Sequence, residues 1–145
     1  MVKSVRMERT HWRDAALSER HRLWGYDCPA VDVDFLLIEY DRKVVKGLVD
    51  YKHEALPEWR RNSSSAAIAD LGTKAGIPVF VCGYAEDFSW FWPIPVNEEA
   101  RKWIPERDGH RLSEKEWVEM LYAIRDRSMP ADVPVTGADA DDNRR

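Results

Sequence analysis

Three residues of this chain have the types and spacing for phosphate chemistry. They are Asp34, in the run Val33-Asp34-Phe35, and Asp50 and Lys52, in the run Val49-Asp50-Tyr51-Lys52. Side chains alternate along a strand, so Asp50 and Lys52 point to one face. Asp34 stands 16 residues before Asp50, at the same parity as Asp32, Leu36 and Ile38. If the two segments pair as an antiparallel ribbon, two carboxylates and one ammonium converge on one patch. Two carboxylates and a backbone carbonyl are hard oxygen donors of the kind that hold Mg²⁺ or Mn²⁺. Such an ion can bind a phosphodiester oxygen, lower the pKa of a bound water and offset charge developing at phosphorus. Lys52 can position or deprotonate the attacking water, or stabilise negative charge.

The elements that must position these residues can be read along the chain. A first helix is expected from Arg6 to Arg20, with Glu8, Trp12, Ala15 and Glu19 on one stripe at about 100° per residue. A carboxylate from that stripe can complete the patch. His21–Tyr26 reads as a short strand or turn broken at Gly25, and Asp27–Ala30 as a loop. Val31–Tyr40 and Val44–His53 read as two strands, and the short polar link Asp41-Arg42-Lys43 makes them a hairpin. Ser63, Ser64 or Ser65 can cap a helix running to Ala75, which Gly76 ends and Pro78 keeps from resuming. Ile77–Cys82 is an apolar strand buried on both faces, and Phe88–Val96, with Pro93 and Pro95, is an edge strand. Ser113 and Glu116 form a capping box, Leu112 and Trp117 a hydrophobic staple, and Trp117, Leu121 and Ile124 one apolar stripe. The order is that of an α/β or α+β domain.

With its acidic strand residue, its D-x-K on the next strand and the helix and buried strand that follow, the chain resembles the PD-(D/E)XK nuclease superfamily over about residues 6–85. The resemblance implies a restriction-endonuclease-like αβββαβ core with a mixed central sheet. It implies a divalent-metal-dependent nuclease that hydrolyses phosphodiester bonds in DNA. Asp34 (or Asp32) takes the place of the first Asp, Asp50 of the second acidic residue and Lys52 of the lysine. Glu19 or Glu8 would be the helical acid, and the carbonyl of Tyr51 would join Asp34 and Asp50 in holding Mg²⁺ or Mn²⁺. Val33 stands where the family motif has Pro, and Asp50 where Glu is commoner.

His21, Arg22 and His53 flank this patch and are candidates for phosphate contact, or plain surface residues at strand ends. Arg60 and Arg61 precede the helix at Ser63 and can grip a DNA backbone together with its free N–H groups, or belong to a solvated loop. The Trp90-Phe91-Trp92 cluster can stack on bases or mediate dimerisation, or it is an edge strand packed on the last helix.

Composition bounds the rest. With 145 residues, the chain is read as one domain over residues 1–127, with a disordered acidic tail over residues 128–145. No apolar run approaches a membrane span, and the polar, basic N-terminus lacks the apolar stretch of a secretion signal. Cys28 and Cys82 are read as reduced thiols of a cytoplasmic protein. The net charge of -4 hides an asymmetry: residues 1–61 carry 12 basic and 11 acidic side chains, residues 62–145 carry 10 and 15. A polyanion therefore meets the N-terminal part first. A homodimer would supply the paired sites that cutting two strands needs. The rival readings are a scaffold on the same fold that has lost catalysis, and an interaction module built on the Trp-rich strand.

Overall fold

The computed structural model describes residues 15–24, 33–55 and 63–136, less the side chains of Ala15, Ser18, His21, Arg22, Ser63 and Ser64. The chain divides into two units, Met1–Asp32 and Val33–Arg145. In the first unit, helix α1 runs Ala15–Trp24. The second unit is a mixed α/β fold. Its strands are β1 (Phe35–Glu39), β2 (Val44–His53), β3 (Val79–Tyr84) and β4 (Phe91–Pro95). Its helices are α2 (Ser63–Ala75), α3 (Glu98–Arg101) and α4 (Glu114–Ile124). The sheet order is β1-β2-β3-β4, with β2 and β3 parallel and both outer pairs antiparallel.

Local chemistry accounts for most of these boundaries. The β1–β2 hairpin turns at Asp41–Lys43, where Lys43 takes the left-handed φ of 58° that closes the link. Helix α2 ends in a Schellman motif. The N–H of Ile77 donates to the Gly72 carbonyl (2.9 Å) and that of Gly76 to the Thr73 carbonyl (3.1 Å), with Gly76 at φ 73°. Gly72 has a second duty: a Cβ there would lie 2.1 Å from Val79 Cγ2, so its bare Cα lets α2 lie close on β3. Both halves of the capping box of α4 form, Glu116 N–H to Ser113 Oγ and Ser113 N–H to Glu116 Oε1. Prolines 93 and 95 lie on β4, a sheet edge, where a missing donor is tolerated.

The sheet buries both faces. On one, Leu48 and Val79 pack with Ile68 of α2 and with Ile77. On the other, Val49, Phe80 and Cys82 pack with Trp117 and Ile124 of α4. Trp117 is 1% exposed; its ring stacks on Phe91, meets Phe80 edge-on and donates from Nε1 to Tyr51 Oη at 3.0 Å. Emptying such a site costs about 3–5 kcal/mol. Asn97, also buried, caps α3 by accepting from Ala100 N–H. It also accepts from Val79 N–H and donates to the Ile77 carbonyl, so one side chain joins α3 to the start of β3.

Two expectations change. His21–Trp24 is the last turn of α1, not a strand, because no Gly or Pro stands between Ala15 and Gly25 to end the helix sooner. Two strands rather than three therefore precede α2 among the described residues. The first strand of the hairpin is shorter than Val31–Tyr40, running Phe35–Glu39 at the edge of the sheet with Phe35, Leu36 and Ile38 exposed. The chain beyond Ser128 is irregular through Thr136, whose N–H donates to Glu114; the remainder of the expected tail lies outside the described residues. Among the described residues no helix is long and apolar enough to cross a membrane, and Cys82 is a buried free thiol.

Candidate active site

The β1–β2 register pairs Phe35 with Val49 and Leu36 with Leu48, so Asp34, just before β1, falls beside Asp50. Asp34 Oδ2 accepts a hydrogen bond from the Tyr51 N–H at 3.0 Å, which ties the carboxylate to β2 beyond the last ladder pair. Asp50 lies on the α2 side of the sheet with Leu48 and is 5% exposed. Lys52, two residues on, sends its Nζ to 3.5 Å from Asp50 Oδ2 and keeps 24% of its side chain in solvent. Strand alternation thus brings Asp34, Asp50 and Lys52 together at the open end of the hairpin.

The electrostatics of this patch are uneven. Burial pushes the Asp50 carboxyl above the ordinary aspartate range, and a hydrogen bond with the neighbouring Asp34 carboxyl raises it further. The Lys52 ammonium opposes the rise without cancelling it. Tyr51 contributes backbone only. Its phenol is turned into the core, where burial holds it protonated well above its usual range. A strand residue's N–H and C=O leave on the same side, so the Tyr51 carbonyl lies on the Asp34 side. Two carboxylates and that carbonyl are the oxygen donors present; no group of three or more His, Cys, Asp or Glu side chains suited to a metal occurs among the described residues. The donor set fits a hard divalent cation that keeps much of its water. The surplus negative charge, two carboxyls against one ammonium, fits it as well.

The other sequence candidates fare differently. Glu19 is an exposed residue of α1, in the first unit. His21 and Arg22 lie on the same helix, their side chains outside the described set. His53 ends β2 at the parity of Tyr51, on the face away from Asp50 and Lys52. There its ring meets Tyr84 edge-on and its Nδ1 accepts from the Ala55 N–H. Glu8, Asp32, Arg60 and Arg61 lie outside the described residues. The Trp-rich strand is an edge, as one reading held. Phe91 stacks on Trp117, Trp92 donates to the Asp108 carbonyl, and the Arg111 guanidinium lies over Trp90 and Trp92.

The sequence reading missed a second carboxylate cluster. Glu39, 3% exposed, takes hydrogen bonds from the side chains of Arg42 and Arg127 and from the N–H groups of Asp41 and Arg42. A Glu ending a strand of apolar residues, with Arg42 three positions on, was the only signal for it. No protein-family model, curated protein or solved structure matches this chain.

Proposed function

We propose that the protein is a divalent-metal-dependent nuclease that hydrolyses phosphodiester bonds in DNA. The observation that carries the reading is the convergence of Asp34, Asp50 and Lys52 at one end of a two-strand ribbon, with the Asp50 carboxyl buried and under-neutralised. The order α1, β1, β2, α2, β3 supports the reading: among the described residues it follows the order of the restriction-endonuclease-like core less one strand.

In this reading Asp34, Asp50 and the Tyr51 carbonyl hold Mg²⁺ or Mn²⁺. The bound ion supplies Lewis-acid stabilisation of charge on the phosphodiester. Asp34 is fixed by the Tyr51 N–H, and Asp50 by its place within the sheet, so neither carboxylate needs to reorganise. Asp50 steadies the Lys52 ammonium, which remains partly in solvent, where it can orient a water or meet charge developing on a phosphate oxygen. Glu19 is the candidate for a further acidic ligand from α1.

Nicking of supercoiled plasmid with Mg²⁺ or Mn²⁺ tests the proposal. The wild type is expected to nick, and Asp50→Ala to nick at least ~100-fold more slowly. Equal rates for the two proteins would sink it. DNA binding without nicking by the wild type would point instead to a scaffold on the same fold.

A further inference from the structure

On the face of the sheet away from Asp50 and Lys52 lies a cavity of about 500 Å³. Five of its walls are aromatic: Phe35, Tyr51, Tyr84, Phe88 and Phe91; Arg125, which also borders a second cavity with Tyr122, is the cationic residue of the lining. The rings of Tyr84, Phe88 and Phe91 are nearly parallel, 11–23° between planes, with centroids 6.2–6.3 Å apart. Phe88 is 46% exposed and reaches this position from a left-handed backbone, φ 61°, which a bulky residue seldom adopts. Arg125 is braced by its Nε donating to the Leu121 carbonyl and by the Tyr122 ring beneath it, and among the described residues no ion pair ties it to a carboxylate.

We infer that this cavity binds one unpaired nucleotide, its base against the aromatic walls and its phosphate on Arg125. Flat rings on several sides accept a flat, polarisable ring of any identity, and stacking on aromatics is how single strands are held without sequence preference. A guanidinium that no carboxylate of the described residues neutralises suits an anion. The size suits a single nucleotide. The choice of a nucleotide over other aromatic anions rests on the nuclease reading, through shared walls. Phe35 directly follows Asp34, and Tyr51 stands between Asp50 and Lys52. A strand passing round the open end of the hairpin would present a phosphate to one face and a base to the other. The substrate class is then single-stranded or locally unpaired DNA rather than a regular duplex.

The test is binding in EDTA, which separates it from cleavage. Calorimetric titrations of the full chain use dAMP, deoxyadenosine, a hexadeoxyadenylate and a blunt 20-base-pair duplex as probes. The hexamer is expected to bind more tightly than the duplex, and dAMP more tightly than deoxyadenosine. Phe88→Ala, at an exposed position, is expected to weaken the hexamer about tenfold with an unchanged far-ultraviolet spectrum. Arg125→Gln is expected to remove the preference for dAMP over deoxyadenosine. The inference is overturned if the wild type prefers the duplex, if it shows no preference for dAMP, or if Phe88→Ala binds the hexamer as the wild type does. Binding that meets every expectation in a protein that never nicks DNA leaves this site standing and removes the nuclease reading. Nicking with unaltered binding by both variants does the reverse.

Discussion

Both ends of the β1–β2 ribbon carry a buried carboxylate, and the fold treats the two oppositely. At the turn, Glu39 faces the side chains of Arg42 and Arg127. Asp41 and Asp126 join the same network, and Lys46 pairs with Asp126. Three acids there meet three bases, and Arg127 and Arg42 hold the Glu39 carboxyl down at about 2. At the open end, Asp50 has Lys52 as its cation and Asp34 as a like-charged neighbour, and its carboxyl is pushed up. A carboxylate buried with its charge matched fastens one segment to another, here the hairpin turn to the chain after α4. A carboxylate buried with its charge unmatched costs stability that packing alone could recover by an apolar residue. Strongly perturbed groups of that kind gather where a ligand completes them.

Exchanging the two ends in a mutational experiment gives the largest contrast. Lys52→Ala is expected to lower plasmid nicking by ~10²–10⁴-fold while the protein stays folded. Glu39→Gln is expected to lower the melting temperature, because Arg127 and Arg42 lose their shared anion, yet to nick normally well below its melting point. Nicking rates and thermal melts on both variants check this. A Glu39→Gln protein that is folded but inactive would erase the distinction between the two ends.

The same contrast separates what was legible in the sequence from what was not. Val44–His53 was readable to the residue, and α2 to within its first turn, because their punctuation is local: a polar turn before Val44, a run of serines where α2 begins, Gly76 after it. The gathering of Asp34, Asp50 and Lys52 was readable for the same reason, since strand alternation and a short hairpin link fix it without distant partners. Glu39 was not, because its strongest partner, Arg127, stands 88 residues away. Asn97 binds backbone groups 18 and 20 residues back, and nothing near it in sequence signals that. The aromatic cavity draws on β1, β2, β3, β4 and α4, so only the assembled sheet reveals it. The end of α1 was misplaced where His21–Trp24 satisfies helix and strand preferences alike, and the breaker, Gly25, comes after them.

A divalent cation sharpens the difference next. If Asp34 and Asp50 hold Mg²⁺ or Mn²⁺, the ion stabilises the folded wild type by about 2.7 kcal/mol at a hundred times its dissociation constant. The rise in melting temperature should persist in Glu39→Gln and vanish in Asp50→Ala. Thermal melts with and without the ion check it. An equal rise in Asp50→Ala would place the ion elsewhere.

The smallest effect is in the pH dependence of stability, and there the two ends carry opposite signs. The folded Asp50 carboxyl titrates above its unfolded value of 3.8, so the folded state binds a proton the unfolded state lacks. Its contribution is present below the unfolded value and is lost as pH rises through the folded one. Glu39 titrates at about 2 when folded against 4.5 unfolded, so its contribution is present above 4.5 and is lost as pH falls toward 2. Melts of the wild type, Asp50→Asn and Glu39→Gln across this range should therefore diverge in two separate windows. Asp50→Asn should gain stability relative to the wild type above the folded Asp50 titration, and the gain should shrink as acid protonates Asp50. Glu39→Gln should be weaker than the wild type near neutrality, with the deficit closing only in strong acid. Parallel curves for Asp50→Asn and the wild type would mean that Asp50 is fully neutralised by Lys52, and that the open end of the ribbon has no surplus charge to offer a cation.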